Sequence, residues 1–207
     1  MPMHIGILAV QGDYEAHARM LDRLGVPYVF VRTPAEAALV DAMILPGGES
    51  TTMLKFLQEE GLEQPLRDLQ ARGGAFFGTC AGAILLAREV HGPAQASLGF
   101  ADLKIARNAY GRQLASEVRS APSKLGTTPL EMVFIRAPII EAIGPGVEVL
   151  ASEGGRPVLV RQGKVLIATF HPELSDDTTV HEYFVKMAAE ALADDAASAP
   201  ATARPSA

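Results

Sequence analysis

The chain has 207 residues, 48% of them hydrophobic and 20% charged, with a formal net charge of −6. That length and apolar content fit one domain burying about 70% of its unfolded surface, and the scattered lysines and arginines leave no basic footprint for nucleic acid or an anionic membrane. A single cysteine excludes an intrachain disulfide, no run approaches the roughly 20 apolar residues needed to span a bilayer, and the start MPMHIGILAV lacks a basic leader and a cleavage site, so a cytoplasmic protein is expected.

His4 to Val10 reads as a strand, Gln11-Gly12 as a turn, and Asp13 to Leu24 as a helix with Tyr14, Ala18, Leu21 and Leu24 on one face. Gly25 stops it. Tyr28 to Val31 is rich in β-formers, Pro34 to Leu39 opens a short helix, and Ala42 to Leu45 is strand-like before Pro46-Gly47-Gly48. Thr51 to Leu69 reads as one or two helices interrupted near Gly61, Ala75 to Phe77 as a fourth strand, and Ala81 to Arg88 as a helix. This alternation predicts a parallel sheet flanked by helices.

Beyond residue 90 short strands are expected around 103–107, 132–135, 147–152, 157–161 and 165–170, with Gln162-Gly163 as a hairpin turn that makes this edge antiparallel or mixed. Ser175 to Leu192 reads as a final helix. The expected domain is therefore 1–192, with the Ala/Pro-rich stretch 193–207 expected to be disordered.

Three short segments carry the chemistry. In "FFGTCAG", Gly78-Thr79-Cys80-Ala81-Gly82 has glycine two residues on either side of the cysteine, between an apolar strand and a helix, the setting of a nucleophile elbow. The glycines allow the backbone to crowd a sharp turn, and the helix beginning at Ala81 turns its positive end toward the sulfur, favouring thiolate. A buried structural cysteine is the competing reading.

Of five histidines, His171 is the best base, because it follows the apolar run 165–170 at a strand end, where side chains overhang the crevice of an α/β fold. Pro172 biases His171 toward an extended backbone, and residues i and i+2 of an extended segment share a side, so Glu173 is placed to orient the imidazole. The competing reading is a solvated turn. His4, His17 and His181 read as packing or surface residues and His91 as a loop residue, and a zinc site lacks CxxC or HExxH spacing. In "LPGGEST", Gly47-Gly48 allow a backbone N–H to face a neighbouring pocket, where with the Ala81 N–H it would form an oxyanion hole.

"LPGGEST", "GTCAG" and "HPE", in that order, resemble the triad-type class I glutamine amidotransferases. "LAVQGDYEAH", "ARNAYGRQ", "FIRAP" and "ATFHPELSDD" are similar, more particularly, to the glutaminase subunits of pyridoxal 5′-phosphate synthases, over a span from about Ile5 to the last helix. The resemblance implies a flavodoxin-like, mostly parallel mixed sheet. It also implies that Cys80 attacks the glutamine amide to give a γ-glutamyl thioester, His171 acts as base and acid, Glu173 orients it, and the ammonia passes to a separate synthase chain.

Within these motifs Arg107 and Arg136 are candidates for the glutamine carboxylate, Ile135 for the pocket wall and Glu49, beside Gly47, Gly48 and Ser50, for the ammonium. The resemblance further implies that the Gly47-Gly48 peptide completes the oxyanion hole, Gly48 and Ala81 donating, only when the synthase is docked. No cofactor or metal is called for. A glutaminase of another pathway, histidine or purine synthesis, shares the triad but is not expected to carry "RNAYGRQ" and "FIRAP" together. Cysteine-elbow proteins of the stress-response or peptidase type usually place histidine directly after the nucleophile, where Ala81 stands.

Overall fold

The computed structural model describes residues 3–107 and 116–198, with the backbone alone for 195–198. The first half alternates as its apolar periodicity dictates: β1 (Ile5–Leu8), α1 (Tyr14–Arg23), β2 (Tyr28–Val31), α2 (Pro34–Ala37), β3 (Ala42–Leu45), α3 (Ser50–Glu59), α4 (Glu63–Ala71), β4 (Ala75–Thr79) and α5 (Ala81–Leu86). The second half is mostly strands: β5 (Ala87–His91), β6 (Ala101–Ala106), β7 (Glu117–Ala121), β8 (Leu130–Phe134), β9 (Ile139–Ile143), β10 (Glu148–Glu153), β11 (Arg156–Gln162) and β12 (Val165–Ala168), before a 3₁₀ turn at Pro172–Leu174 and α6 (Thr179–Ser198).

Seven strands form the central sheet in the order β10-β11-β12-β4-β3-β1-β2. The five from β12 to β2 are parallel, and β11 and β10 are added antiparallel through the hairpin at Gln162-Gly163. Read from the far edge, the parallel part has the 2-1-3-4-5 order of flavodoxin-like folds, whose ligands bind beyond the carboxyl ends of the strands. The inner strands β1, β3, β4 and β12 are buried at every position, as a sheet covered on both faces requires.

Alternation along β4 assigns the faces. Ala75 and Phe77 join a core with Leu21 of α1 and Phe184 of α6, whereas Phe76 joins the opposite core with Leu57 of α3, Leu66 of α4 and Leu85 of α5. Thr79, two residues beyond Phe77, therefore belongs to the α1/α6 side, although its neighbour Cys80 opens the turn into the crevice.

The structure departs from the sequence expectations in four places. α5 stops at Leu86, where Ala87 turns extended at φ −68° and ψ +151°, and residues 87–91 pair with β6 as a parallel strand, with a register shift between Ala87 and Glu89; their buried, exposed, exposed, buried pattern also suits a helix, so the pairing and not the burial decides. β7 and β9 had no local signal: β7 reads EVRSA and buries only its last residue, so pairing with β8 makes it a strand. The last helix starts at Thr179, four residues late, since Pro172–Leu174 take a separate turn and the Asp177 carboxylate accepts the Thr179 N–H at 2.9 Å. It also runs to Ser198, six residues into the stretch expected to be disordered, through a run of good helix-forming alanines. The remainder of that stretch, 199–207, lies outside the described residues. Among the described residues, no helix is long and apolar enough to cross a membrane.

Candidate active site

Cys80 sits where β4 passes into α5, with φ +46° and ψ −99°, a conformation that L-residues rarely adopt. Such strain costs on the order of 1–3 kcal/mol and persists only where the surroundings fix it. Here the Cys80 N–H donates to the Ala168 carbonyl at 3.0 Å and the Gly82 N–H to the Pro46 carbonyl at 3.1 Å, tying the turn to β12 and to the end of β3. A Cβ on Gly82 would lie 2.0 Å from the Leu45 oxygen, and one on Gly78 2.7 Å from the Gly82 backbone, so the two glycines are needed for close approach. The elbow expected from G-x-C-x-G is formed.

β12 is hydrogen-bonded directly to β4, so its continuation brings His171 beside Cys80. The imidazole and the Cys80 sulfur face the same cavity and interact electrostatically, and the ring Nδ1 lies 2.8 Å from Glu173 Oε1. Burial opposes a charge on this ring, but the attraction of Cys80 and Glu173 outweighs it and lifts the His171 pKa to about 10. An imidazolium against sulfur is the arrangement in which a cysteine reacts as thiolate.

The route to this geometry differs from the extended i, i+2 segment expected. His171, at φ −109° and ψ +83°, precedes a one-turn 3₁₀ helix whose first residue is Pro172, and that turn folds Glu173 back under the ring. The His171 N–H donates to the Val133 carbonyl at 2.8 Å, so β8 holds the strand end from outside.

Gly47 lies against the imidazole: a Cβ there would meet His171 Cε1 at 2.3 Å. Its carbonyl accepts the Asp13 N–H at 3.0 Å, while Gln11 Oε1 accepts the Glu49 N–H at 3.0 Å. The turn after β1 therefore grips the Gly47-Gly48 peptide from both ends, and Gly48, at φ +153°, passes close enough to Gln11 that a Cβ would sit 2.5 Å from Oε1. The Asp13 carboxylate also stands 3.8 Å from His171 Nδ1.

These groups border a cavity of about 270 Å³ lined by Gln11, Asp13, Gly48, Glu49, Ser50, Cys80, Ile84, Arg107, Ile135, Arg136, Pro138 and His171. Every residue expected to bind glutamine is on that wall except Gly47, which lies behind the ring. Glu49 is more occupied than its sequence role suggested. Its carboxylate N-caps α3, accepting the Thr51 N–H at 3.2 Å and the Thr52 N–H at 2.7 Å, and these hydrogen bonds outweigh partial burial to lower its pKa to about 2.

Arg107 approaches Glu49 at 3.5 Å, donates to Thr51 Oγ1 at 2.9 Å and donates to the side-chain oxygen of Gln95, which also accepts from Ser50 Oγ at 3.0 Å. Arg136 has φ +44°, so it and Cys80, the two non-glycine residues with positive φ among those described, face one cavity. The Ile135 carbonyl lies 3.9 Å from Cys80 Sγ. Most of "RNAYGRQ", from Asn108 on, lies outside the described residues.

Sequence reasoning passed over the groups behind the triad. Thr79 Oγ1 is 3.3 Å from Glu173 Oε1 and 3.1 Å from His17 Nε2, and His17 Nδ1 is 2.9 Å from His181 Nε2. Helical spacing carried a signal: His17 falls between Tyr14 and Leu21 on the apolar face of α1, and His181 three residues before Phe184 on that of α6. Burial drives both imidazoles neutral, aided for His17 by the neighbouring His181 and His171, and His181 is lowered to about 3. Gln11 and Asp13 lie within "LAVQGDYEAH" and Pro138 within "FIRAP", although no place at the site was read for them, and Gln95 lies in no motif.

An elbow cysteine, a histidine from the next parallel strand and a carboxylate in a flavodoxin-like sheet define the class I glutamine amidotransferase fold. A solved structure titled a glutamine amidotransferase superposes with a TM-score of 0.84 at 46% identity, covering 89% of this chain and 98% of that one. The PurLQS structure from Thermotoga maritima, at 14% identity and a TM-score of 0.65 over 90% of this chain and 99% of its own, shares the fold alone. Residues 7–190 match the SNO glutamine amidotransferase family, and the chain belongs to it. Its relatives include the pyridoxal 5′-phosphate synthase subunits PdxT of Koribacter versatilis, 52% identical over 89% of this chain and 95% of that protein, and of Deinococcus radiodurans, 48% identical over 91% and 98%.

Proposed function

We propose that this protein is the glutaminase subunit of a pyridoxal 5′-phosphate synthase, releasing ammonia from L-glutamine in the cytoplasm and passing it to the synthase subunit. The observation that carries the chemistry is that Cys80 and His171 face one cavity of small-molecule size while His171 Nδ1 is held 2.8 Å from Glu173 Oε1. Cys80 Sγ attacks the side-chain amide carbon, forming the C–S bond. The charge gathering on the amide oxygen is taken by the N–H groups of Ala81, at the start of α5, and Gly48. His171 protonates the departing nitrogen, the C–N bond breaks, and ammonia and a γ-glutamyl thioester result. His171 then takes a proton from water, whose oxygen attacks the thioester, and glutamate leaves as Cys80 is regenerated.

Arg107 and Arg136 are proposed for the α-carboxylate, the Glu49 oxygens and Ser50 for the ammonium, and Ile135 for the wall. The Gly47 carbonyl is held by the Asp13 N–H in this structure. Reorientation of that glycine peptide when the synthase docks would switch the oxyanion hole on and restrain hydrolysis in the isolated chain. Measuring glutamate from glutamine, with and without saturating synthase, tests the assignment. Activity raised by the synthase and abolished by Cys80→Ala is expected; equal turnover in both conditions removes the switch, and turnover surviving in Cys80→Ala removes the nucleophile.

A further inference from the structure

Among the described residues buried on the largely apolar α1/α6 face of the sheet, His17, Thr79 and His181 are polar and form a line ending on Glu173. His17, Thr79 and His181 are fully buried. They arise from α1, β4 and α6, three elements distant in sequence, and are enclosed by Phe77, whose ring is 5.8 Å from that of His17 and 5.5 Å from that of His181. Leucine or phenylalanine would fill such places without the cost of dehydrating polar groups.

Proton counting gives the line a direction. Glu173 Oε1 lies 2.8 Å from His171 Nδ1 and, as the partner of a protonated ring, accepts. The single Thr79 hydroxyl hydrogen is therefore given to Glu173 Oε1, at 3.3 Å, and Thr79 oxygen must accept from His17 Nε2, at 3.1 Å. A neutral His17 protonated at Nε2 has a bare Nδ1, which accepts from His181 Nε2 at 2.9 Å. A neutral His181 protonated at Nε2 then ends in a bare Nδ1, and that nitrogen is one of two buried side-chain atoms without a partner among the described residues. The other is Glu173 Oε2. Any other hydrogen placement breaks a bond or leaves an N–H orphaned.

We propose that Thr79, His17 and His181 are positioning residues for glutamine hydrolysis: a one-way chain of donors that fixes the plane of the Glu173 carboxylate so that one of its oxygens stays under His171. The proposal rests on the assignment of Glu173 as the orienter of His171. His17 Nε2, 3.6 Å from Oε1, is beyond direct bonding, so Thr79 is the link through which the histidines act. One carboxylate oxygen takes both donors while the other takes none among the described residues, so tilting the carboxylate plane would weaken both bonds together. The consequence is a lower kcat without a matching change in KM when the chain is cut, because none of the three touches the cavity that holds the substrate.

The test uses the full chain saturated with its synthase. His17→Met, of similar volume but without the donor, is expected to lower kcat about tenfold or more, the scale for outer partners that orient a reacting group, with KM changed less than about twofold. His17→Gln keeps an N–H at the Nε2 position and should recover most of the rate even if it melts at the same temperature as His17→Met. Full rate in a folded His17→Met complex, or equal rates in the two variants, overturns the proposal. Should the variants fail to fold, ¹⁵N–¹H correlation of the ring nitrogens in the unaltered protein decides: both histidines as Nε2–H tautomers support the chain, and an Nδ1–H tautomer at either breaks it. Loss of glutamine hydrolysis from the unaltered complex would instead remove the functional assignment and leave the tautomer result standing.

Discussion

Cys80 and His171 each owe their properties to the other. With the sulfur present, His171 keeps its proton to about 10. Cys80→Ala removes a negative charge facing the ring, so the His171 ring should titrate at lower pH, and an NMR titration that finds it unchanged would mean Glu173 alone supports the charge. Gly47 is the second sensitive residue, because a methyl group there would stand 2.3 Å from His171 Cε1. Displacing the ring by a fraction of an ångström is expected to cost on the order of 10²-fold in kcat for Gly47→Ala, read as glutamate release under saturating synthase. Cys80, His171 and Glu173 were legible in the sequence since each lies in a motif with its own local logic. Thr79 and His17 were not, because their role depends on a β4 residue facing one helix while its neighbour faces the crevice.

The elements that shape the site are short and held by backbone approach. Gly82→Ala would force a Cβ to 2.0 Å from the Leu45 oxygen, separating α5 from β3, and should destabilise the fold by about 1–3 kcal/mol in urea unfolding as an overpacked core does. α3 depends on Glu49 for its first turn, so Glu49→Ala should cost about 1 kcal/mol of cap, read in the same unfolding series, and raise KM for glutamine as Arg107 loses a neighbour. The parallel strands were readable because burial on both faces writes an uninterrupted apolar run. β5, β7 and β9 were hidden because pairing with a neighbouring strand, rather than an apolar run of their own, makes them strands, and the 3₁₀ turn at Pro172–Leu174 because a proline restricts the residue before it without fixing the path of the chain after it.

Across the whole molecule, the buried histidines set opposite pH limits. His17 and His181 are held neutral in the fold, so an unfolded chain binds more protons below about pH 6.5; their contribution is present above that value and is lost as pH falls, toward about 3 for His181. His171 works in the other sense: its raised pKa stabilises the fold fully below about 6.5, and that share is lost as pH rises toward about 10. Thermal melts should therefore show an acid limb beginning near pH 6, and ring signals of His17 and His181 should not titrate between about pH 8 and 5. Titration of either within that range would show that its site opens to water. The fold class followed from the alternation of the first half and the antiparallel edge from the Gln162-Gly163 turn, whereas the two small sheets depend on pairings that neither signal reveals.

The adjacency of β4 and β12 also sets an order of events in synthesis. The strand carrying the nucleophile leaves the ribosome early, while the strand carrying its base, and the turn carrying the orienting carboxylate, come only after seven intervening strands have been made. Until β12 docks, the thiol has neither imidazole nor a fixed backbone, since its own N–H is tied to Ala168. A half-made chain thus holds an inert cysteine, and completion of the sheet is the step that arms it.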